Sequence, residues 1–259
     1  MTEAMTGTLT EALKITGHAY RQKGFDKAIL AVGSCENHGQ HLPLGTDTLV
    51  SYKLAKKIAE QVDGLLVLPP ITIGYSEHYS HFPFTLSLRA ETLVEVLKDV
   101  LRSVIRNGIR RIFIFNGHDG NIAPIEIASR AVKMEHTEAR IASLDAWWVA
   151  AGQLLPPDTF EVWNGLGHAG EGESSIALHL FGDLVEMEHA RGIVPNLPPH
   201  VEIKWNFAEL TDCGATGDPT KATAEKGRVM EDVLVKAVVQ FLKDMDARDW
   251  DYRSGQSAL

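Results

Sequence analysis

Cysteine is scarce: Cys35 and Cys213 are the only two in 259 residues. Two thiols cannot build a disulfide framework, so a reducing compartment is the simplest expectation. Clusters of positive charge are missing as well. Against 34 acidic residues stand 25 Lys and Arg, for a formal net charge of −9, and no stretch gathers the basic ones. Nucleic-acid binding is therefore not expected. No apolar run approaches the ~18 residues that span a bilayer, so no membrane association is expected. Residues 1–10 lack a basic region followed by an apolar core, the pattern of a secretory signal. A cytoplasmic location is the expectation. No Gly-x-Gly-x-x-Gly follows the first strand candidate, which ranks a nucleotide-dependent oxidoreductase last. The late run Gly214-Ala215-Thr216-Gly217-Asp218 lacks the Gly-Lys-Ser/Thr ending of a phosphate loop.

What is present reads as an ordinary globular chain, 44% hydrophobic and 23% charged. Short apolar runs at residues 28–32, 65–68, 111–115 and 140–144 are strand candidates. Between them, residues 48–61, 90–107 and 123–136 carry apolar side chains at helical spacing. Residues 174–180 and 219–245 read as further helices. In residues 90–107, Leu93, Val96, Leu97, Val100, Leu101 and Val104 form one stripe, and Asn107-Gly108 supplies the stop. Strands alternating with helices predict α/β architecture, a mostly parallel sheet with helices on both faces. Neither a repeat nor a composition break marks a boundary. The Pro-containing segments 155–158 and 194–200 read as loops within one domain spanning residues 1–259.

The densest chemistry follows the first strand candidate, in Gly33-Ser34-Cys35-Glu36-Asn37-His38-Gly39-Gln40-His41-Leu42-Pro43-Leu44-Gly45-Thr46-Asp47-Thr48. Glu36 and His38 are two residues apart, so in extended backbone both side chains leave on one side. Cys35 then points the other way, which argues against a nucleophilic role. Asp47 lies after a Gly- and Pro-punctuated loop that can fold back. Carboxylates and imidazoles together suit zinc, manganese or iron. A single Glu-x-His pair is more often a polar surface loop; the whole string shifts that balance. In open parallel sheets functional groups gather beyond the carboxyl ends of the strands. His118 follows the third candidate strand and Asp145-Ala146-Trp147 the fourth, so several strand ends deliver ligand-type and aromatic side chains to one edge.

This string resembles the creatininase family pattern Gly-Ser-x-Glu-Gln-His-Gly-x-His-Leu-Pro-Leu-x-Thr-Asp. Asn116-Gly117-His118-Asp119-Gly120-Asn121 is similar to the family's Asn-Gly-His-x-x-Asn, and His168-Ala169-Gly170-Glu171-Gly172-Glu173-Ser174-Ser175 to its His-Gly/Ala-Gly-x-x-Glu-Thr/Ser-Ser. His81-Phe82-Pro83-Phe84-Thr85 resembles Phe-Pro-Gly-Thr, with Phe84 where Gly is usual. The late Gly-rich loop at Gly214 and the helix start at Ala224 complete the order over nearly the whole chain.

The resemblance implies a three-layer αβα sandwich and one or two divalent metals (Zn, Mn or Fe) per chain. Metal ligands would be Glu36, His38, Asp47 and His118, with Asp47 bridging. Creatininase itself uses a Glu two residues after the strand-end His, where this chain has Gly120. Glu173 is the best replacement, as ligand or catalytic group. It can equally be read as a carboxylate favoured at a helix N-terminus, and a mononuclear site stays open. His168 matches a histidine thought to move protons at the substrate, and Ser76, His78, Asp119 and Trp147 match positions that face it. Where creatininase lines its pocket with a second Trp and a Tyr, this chain has Asn164 and Asp119, which makes creatinine a poor fit. The implied activity is hydrolysis of a C–N bond, cyclic amide or formamide, in a small polar substrate. Opening of an oxidised inositol ring, deformylation of a formylamino-pyrimidine nucleotide and trimming of a precursor peptide are the other family chemistries. For a phosphorylated substrate Arg89 and Lys221 are the candidate partners. An inactive metal-binding scaffold is the non-enzyme alternative. Family members commonly form homo-oligomers, often hexamers; Trp205 and Phe207 are the candidate exposed aromatics.

Overall fold

The computed structural model describes residues 10–198, 200–201 and 203–255. The stretch tested for a secretory signal therefore lies outside the described residues, apart from Thr10. Four strands, β1 (Lys27–Val32), β2 (Leu65–Val67), β3 (Arg111–Asn116) and β4 (Arg140–Leu144), form one sheet in the order β2-β1-β3-β4. Every pairing is parallel. Among the described residues seven α-helices accompany them: α1 (Gly17–Lys23), α2 (Thr46–Ala59), α3 (Ala90–Arg106), α4 (Ile122–Glu135), α5 (Trp147–Leu154), α6 (Glu171–Phe181) and α7 (Ala224–Ala247).

Alternation along β1 explains the layering. Ile29 and Ala31 join a core with residues of α2, α5, α6 and α7. Ala28, Leu30 and Val32 join the opposite core with α3 and α4. Every residue of β1 is buried, as expected for a central parallel strand covered on both faces. Of the stripe read on α3, Leu93, Leu97 and Leu101 are wholly buried and Val104 is buried, whereas Val96 is exposed at its margin. Strand β4, at the edge, is half-buried.

Register sets the position of the site. Val32 pairs with Asn116, and Gly117 N–H donates to the Val32 carbonyl at 2.8 Å. The residues leaving β1 and β3 therefore emerge side by side.

Several boundaries differ from the sequence expectation. Helix α2 starts two residues early, at Thr46, which puts Asp47 in its first turn. Helix α6 starts at Glu171, so Glu173 is also a first-turn carboxylate, where the positive end of the helix dipole favours it. The last helix does not begin at residue 219. Pro219–Lys221 makes a separate 3₁₀ turn, and Thr223 caps α7 by accepting from the Lys226 N–H. Helices α1 and α5 escaped the reading because seven or eight residues span barely two turns of periodicity.

Candidate metal centre

Five side chains from four chain segments meet beyond the carboxyl ends of β1 and β3. Glu36 and His38 come from the loop after β1, Asp47 from the start of α2, His118 from the turn after β3 and Glu173 from the start of α6. Potential ligand atoms of Glu36, Asp47 and His118 lie within 4.8 Å of one another, as do those of His38, Asp47 and Glu173. Asp47 belongs to both groups. Its Oδ1 is 2.9 Å from His38 Nε2 and its Oδ2 3.3 Å from His118 Nδ1. A third group joins Glu36 and His38 to His168.

Backbone partners fix the histidine rings. His118 Nε2 donates to the Tyr75 carbonyl at 2.9 Å, which turns Nδ1 towards Glu36 and Asp47. His38 Nδ1 donates to the Glu36 carbonyl at 3.2 Å, leaving Nε2 for Asp47. Such outer partners select the tautomer and orient a ligating imidazole. Asn116 braces the His118 turn, donating from Nδ2 to the His118 carbonyl at 2.6 Å and the Asp145 carbonyl at 2.8 Å. Asn121 ties the same turn to the loop after β1, through Gly33, and to Tyr75. The glycines allow the close approach: a Cβ on Gly117 would come within 2.4 Å of the Asp47 carbonyl oxygen.

The residues fit a cation. Glu36 and His38 are wholly inaccessible, and Asp47, His118 and Glu173 are buried too. Both Glu36 oxygens and Asp47 Oδ2 make no hydrogen bond; His118 Nδ1 approaches at 3.2–3.3 Å without hydrogen-bond geometry. Buried, unpartnered carboxylate oxygens are costly unless a cation compensates them. Proton affinities tell the same story. Burial alone would raise Asp47, yet His38 and His118 beside it hold its carboxyl below the ordinary range. Burial would lower His38, but Asp47 raises it to about 10. Burial likewise opposes a proton on His118, yet Glu36 and Asp47 raise it well above its usual value. Protons on these two rings sit where metal ions would bind.

The gap at Gly120 is closed sterically. A Cβ there would lie 2.1 Å from the Tyr75 carbonyl oxygen and 2.6 Å from His118 Nε2. Glu173 stands on the open side instead. Burial, with Asp47 and Glu36 adding to it against His38, pushes its carboxyl up to about 7. Its Oε2 accepts from the Ala169 N–H at 2.6 Å.

His168 lies beside the cluster, its ring 4.3 Å from that of His38. Nε2 donates to the Asn37 carbonyl at 2.7 Å, and Nδ1 is 3.8 Å from Glu36 Oε1. Burial and the neighbouring His38 hold its pKa well below the usual value. In this arrangement the ring presents a lone pair to the centre, not the proton expected of a leaving-group donor.

A cavity of about 290 Å³ opens onto the cluster, lined by Asp47, His118, His168 and Glu173 and walled by Tyr79, Trp148 and Phe207. Asp119 also lines it and is exposed. Three expected substrate contacts do not line this cavity. Trp147 is buried in the core with Ala151 and Ile176, and its neighbour Trp148 lines the cavity. Ser76 sits behind His118, bonded to Ser34 Oγ at 2.5 Å and 3.3 Å from His118 Nε2, where it supports the ring. His78 is half-buried, stacked on His118 and tilted against Tyr79, outside the cavity wall; burial and His118 lower its pKa to about 4. Phe207, expected as an exposed aromatic, is buried at 4.3 Å from Tyr79; Trp205 is half-buried. Asn164 turns away, donating to the Gly152 carbonyl. Neither Arg89 nor Lys221 lines the cavity; Lys221 lies 3.4 Å from Glu161. Tyr79, Trp148, Phe207 and Thr216 were missed by sequence reasoning. Tyr79 and Trp148 neighbour residues already singled out, Phe207 was read only as an exposed aromatic, and Thr216 only as part of the loop at residues 214–218.

The family model described as creatinine amidohydrolase matches residues 14–242. A mycofactocin precursor peptide peptidase of Mycobacterium ulcerans (strain Agy99) is 32% identical over 213 residues, 77% of this chain and 78% of its own length. A creatinine amidohydrolase of Pseudomonas putida is 29% identical over 231 residues, 83% and 88% of the two chains. A 3-dehydro-scyllo-inosose hydrolase of Thermotoga maritima is 28% identical over 95% of this chain and 86% of its own. Among solved structures, one titled "Creatininase Mn" superposes with a TM-score of 0.80 at 27% identity, covering 91% of this chain and 98% of that one.

Proposed function

The chain belongs to the creatininase family, and from that premise we propose a metal-dependent hydrolase acting on a C–N bond in a small polar substrate. The observation that carries this reading is the buried set of three carboxylates and two imidazoles with orphaned oxygens around Asp47. Glu36, Asp47 and His118 would hold one divalent ion; His38, Asp47 and Glu173 would hold a second. Such ions, when bound, activate water and stabilise a developing oxyanion.

The chain's own residues supply the rest. His168, with Nε2 fixed on Asn37 and Nδ1 bare, accepts a proton from the attacking water and returns it to the leaving nitrogen. Glu173, raised to about 7, can share that proton traffic. Trp148, Phe207 and Tyr79 exclude bulk water and flank the substrate, and Asp119 accepts hydrogen bonds from its amino or hydroxyl groups.

Among the described residues no Lys or Arg side chain lines the cavity, which disfavours a phosphorylated nucleotide. Manganese and zinc are the metals to try first, since a related structure is titled as a manganese form. Creatinine should be turned over poorly, because Asn164 faces away from the cavity and Asp119 is not an aromatic wall. Hydrolytic opening of an oxidised inositol ring would use the same centre and is the runner-up, consistent with the Thermotoga relative's name.

The test is a panel of creatinine, N-formyl amines, cyclic amides, short peptides and oxidised inositols with the metal-loaded protein. Amine release from a small amide supports the proposal, efficient creatinine turnover restores the plain creatininase reading, and ring opening of the inositol alone favours the runner-up. We also propose self-association, because Ile193, Val194, Leu197, Val201 and Ile203 expose apolar side chains along one irregular segment.

A further inference from the structure

Tyr79 is part of no expectation raised by the sequence, yet its ring is the most enclosed aromatic of the cavity wall. It lies 4.3 Å from the His168 ring, 4.3 Å from Phe207, 4.4 Å from His78 and 6.3 Å from His118. These contacts hold the ring in place. A Phe would fill the same space, so packing alone gives no reason for an oxygen there. Buried tyrosine hydroxyls ordinarily find a hydrogen-bond partner. Among the described residues no side chain or backbone group supplies one for Tyr79, and the residue lines the cavity. Its oxygen is not among the buried atoms left without a partner, so it is open to the cavity, whose contents supply the partner.

The cavity is rich in acceptors and poor in donors. Asp47, Asp119 and Glu173 accept, and His168 presents a bare Nδ1. Side-chain donors in the wall are the hydroxyls of Tyr79 and Thr216 and the indole of Trp148. Thr216 Oγ1 accepts from the His168 N–H at 2.9 Å, which holds that side chain against the backbone of the His168 loop and leaves its own proton free. The Tyr79 ring packs against both His118 and His168, the rings that face Glu36. A phenol titrates near pH ~10 in water, so at neutral pH it donates.

We propose that Tyr79 is a substrate-contacting residue of this site, donating from Oη to the oxygen of the reacting carbonyl. The assignment rests on the hydrolase reading above and adds to it a donor aimed at the oxygen on which negative charge grows. No bond is made or broken at Tyr79; it gives a hydrogen bond that strengthens as the oxyanion develops.

The test uses acetohydroxamate, a small carbonyl ligand, titrated calorimetrically into the zinc-loaded full-length protein and its Tyr79→Phe variant. Zinc content and thermal midpoint are measured on both. The expected result is equal zinc content, an unchanged cooperative transition and about tenfold weaker acetohydroxamate binding in Tyr79→Phe. Equal affinity in the two proteins overturns the assignment and leaves the hydrolase reading standing. Loss of zinc or of the cooperative transition in Tyr79→Phe makes the hydroxyl part of the framework and also overturns it. A wild-type protein that takes up no zinc, or ignores acetohydroxamate, defeats the hydrolase reading itself.

Discussion

At the scale of single residues, Asp47 and Glu173 divide the chemistry. Asp47 is shared by both ligand groups, whereas Glu173 belongs to one, so substitutions there should differ in kind. Glu173→Gln should lower bound metal from about two ions to about one per chain, measured by plasma mass spectrometry after dialysis. Unchanged stoichiometry would remove Glu173 from the ligand set. The same carboxyl gives a pH prediction for the metal-free protein. Burial raises it to about 7 from an ordinary 4.5. A raised pKa contributes stability that is complete below the unfolded value and lost as pH rises through the folded one. Wild type should therefore lose ground to Glu173→Gln between pH 5 and 8, on the order of 2 kcal/mol. Urea denaturation of both apo-proteins across that range checks it; a flat difference would show that Glu173 is not the raised group.

At the scale of elements, the site is held by loops pinned from behind. Glu171, fully buried at the start of α6, accepts from the Glu161 and Val162 N–H groups and from Lys226 Nζ at 2.6 Å. It thereby anchors the segment leading to His168 against α7. Lys226→Met would strand this carboxylate, at a cost of ~2–4 kcal/mol, seen as a lower thermal midpoint. A midpoint unchanged within a degree would mean that the two backbone donors suffice.

Elements also explain what the sequence could and could not reveal. Glu36, His38 and His118 were legible as candidate ligands because strand ends are marked by abrupt changes from apolar runs to Gly, His and Asn, whereas Glu173 rested on the family resemblance. Trp147 was misjudged because α5 begins at that residue. Successive helical side chains diverge by ~100°, so Trp147 enters the core and Trp148 the cavity. Phe207 belongs to a 3₁₀ turn far along the chain from Tyr79, and no local pattern announces such a contact. Ser76 and His78, expected to face the substrate, lie beside His118, and which side of it they occupy depends on the path of the loop after β2.

At the scale of the whole molecule, the layered α/β order was readable from alternating runs, and the register of β1 on β3 turns that order into a site. Association of chains is a separate matter. The apolar segment from Ile193 to Ile203 and the half-buried edge strand β4 predict a particle heavier than the 28.5 kDa chain. Light scattering at micromolar concentration should register it, and a monomer there would end the proposal. The central claim, a metal centre built on Asp47, is tested most directly by anomalous diffraction at the zinc edge from crystals of the zinc-loaded protein. Two peaks are expected, one among Glu36, Asp47 and His118 and the other among His38, Asp47 and Glu173. No peak in this cluster, or zinc bound only elsewhere on the chain, would contradict it.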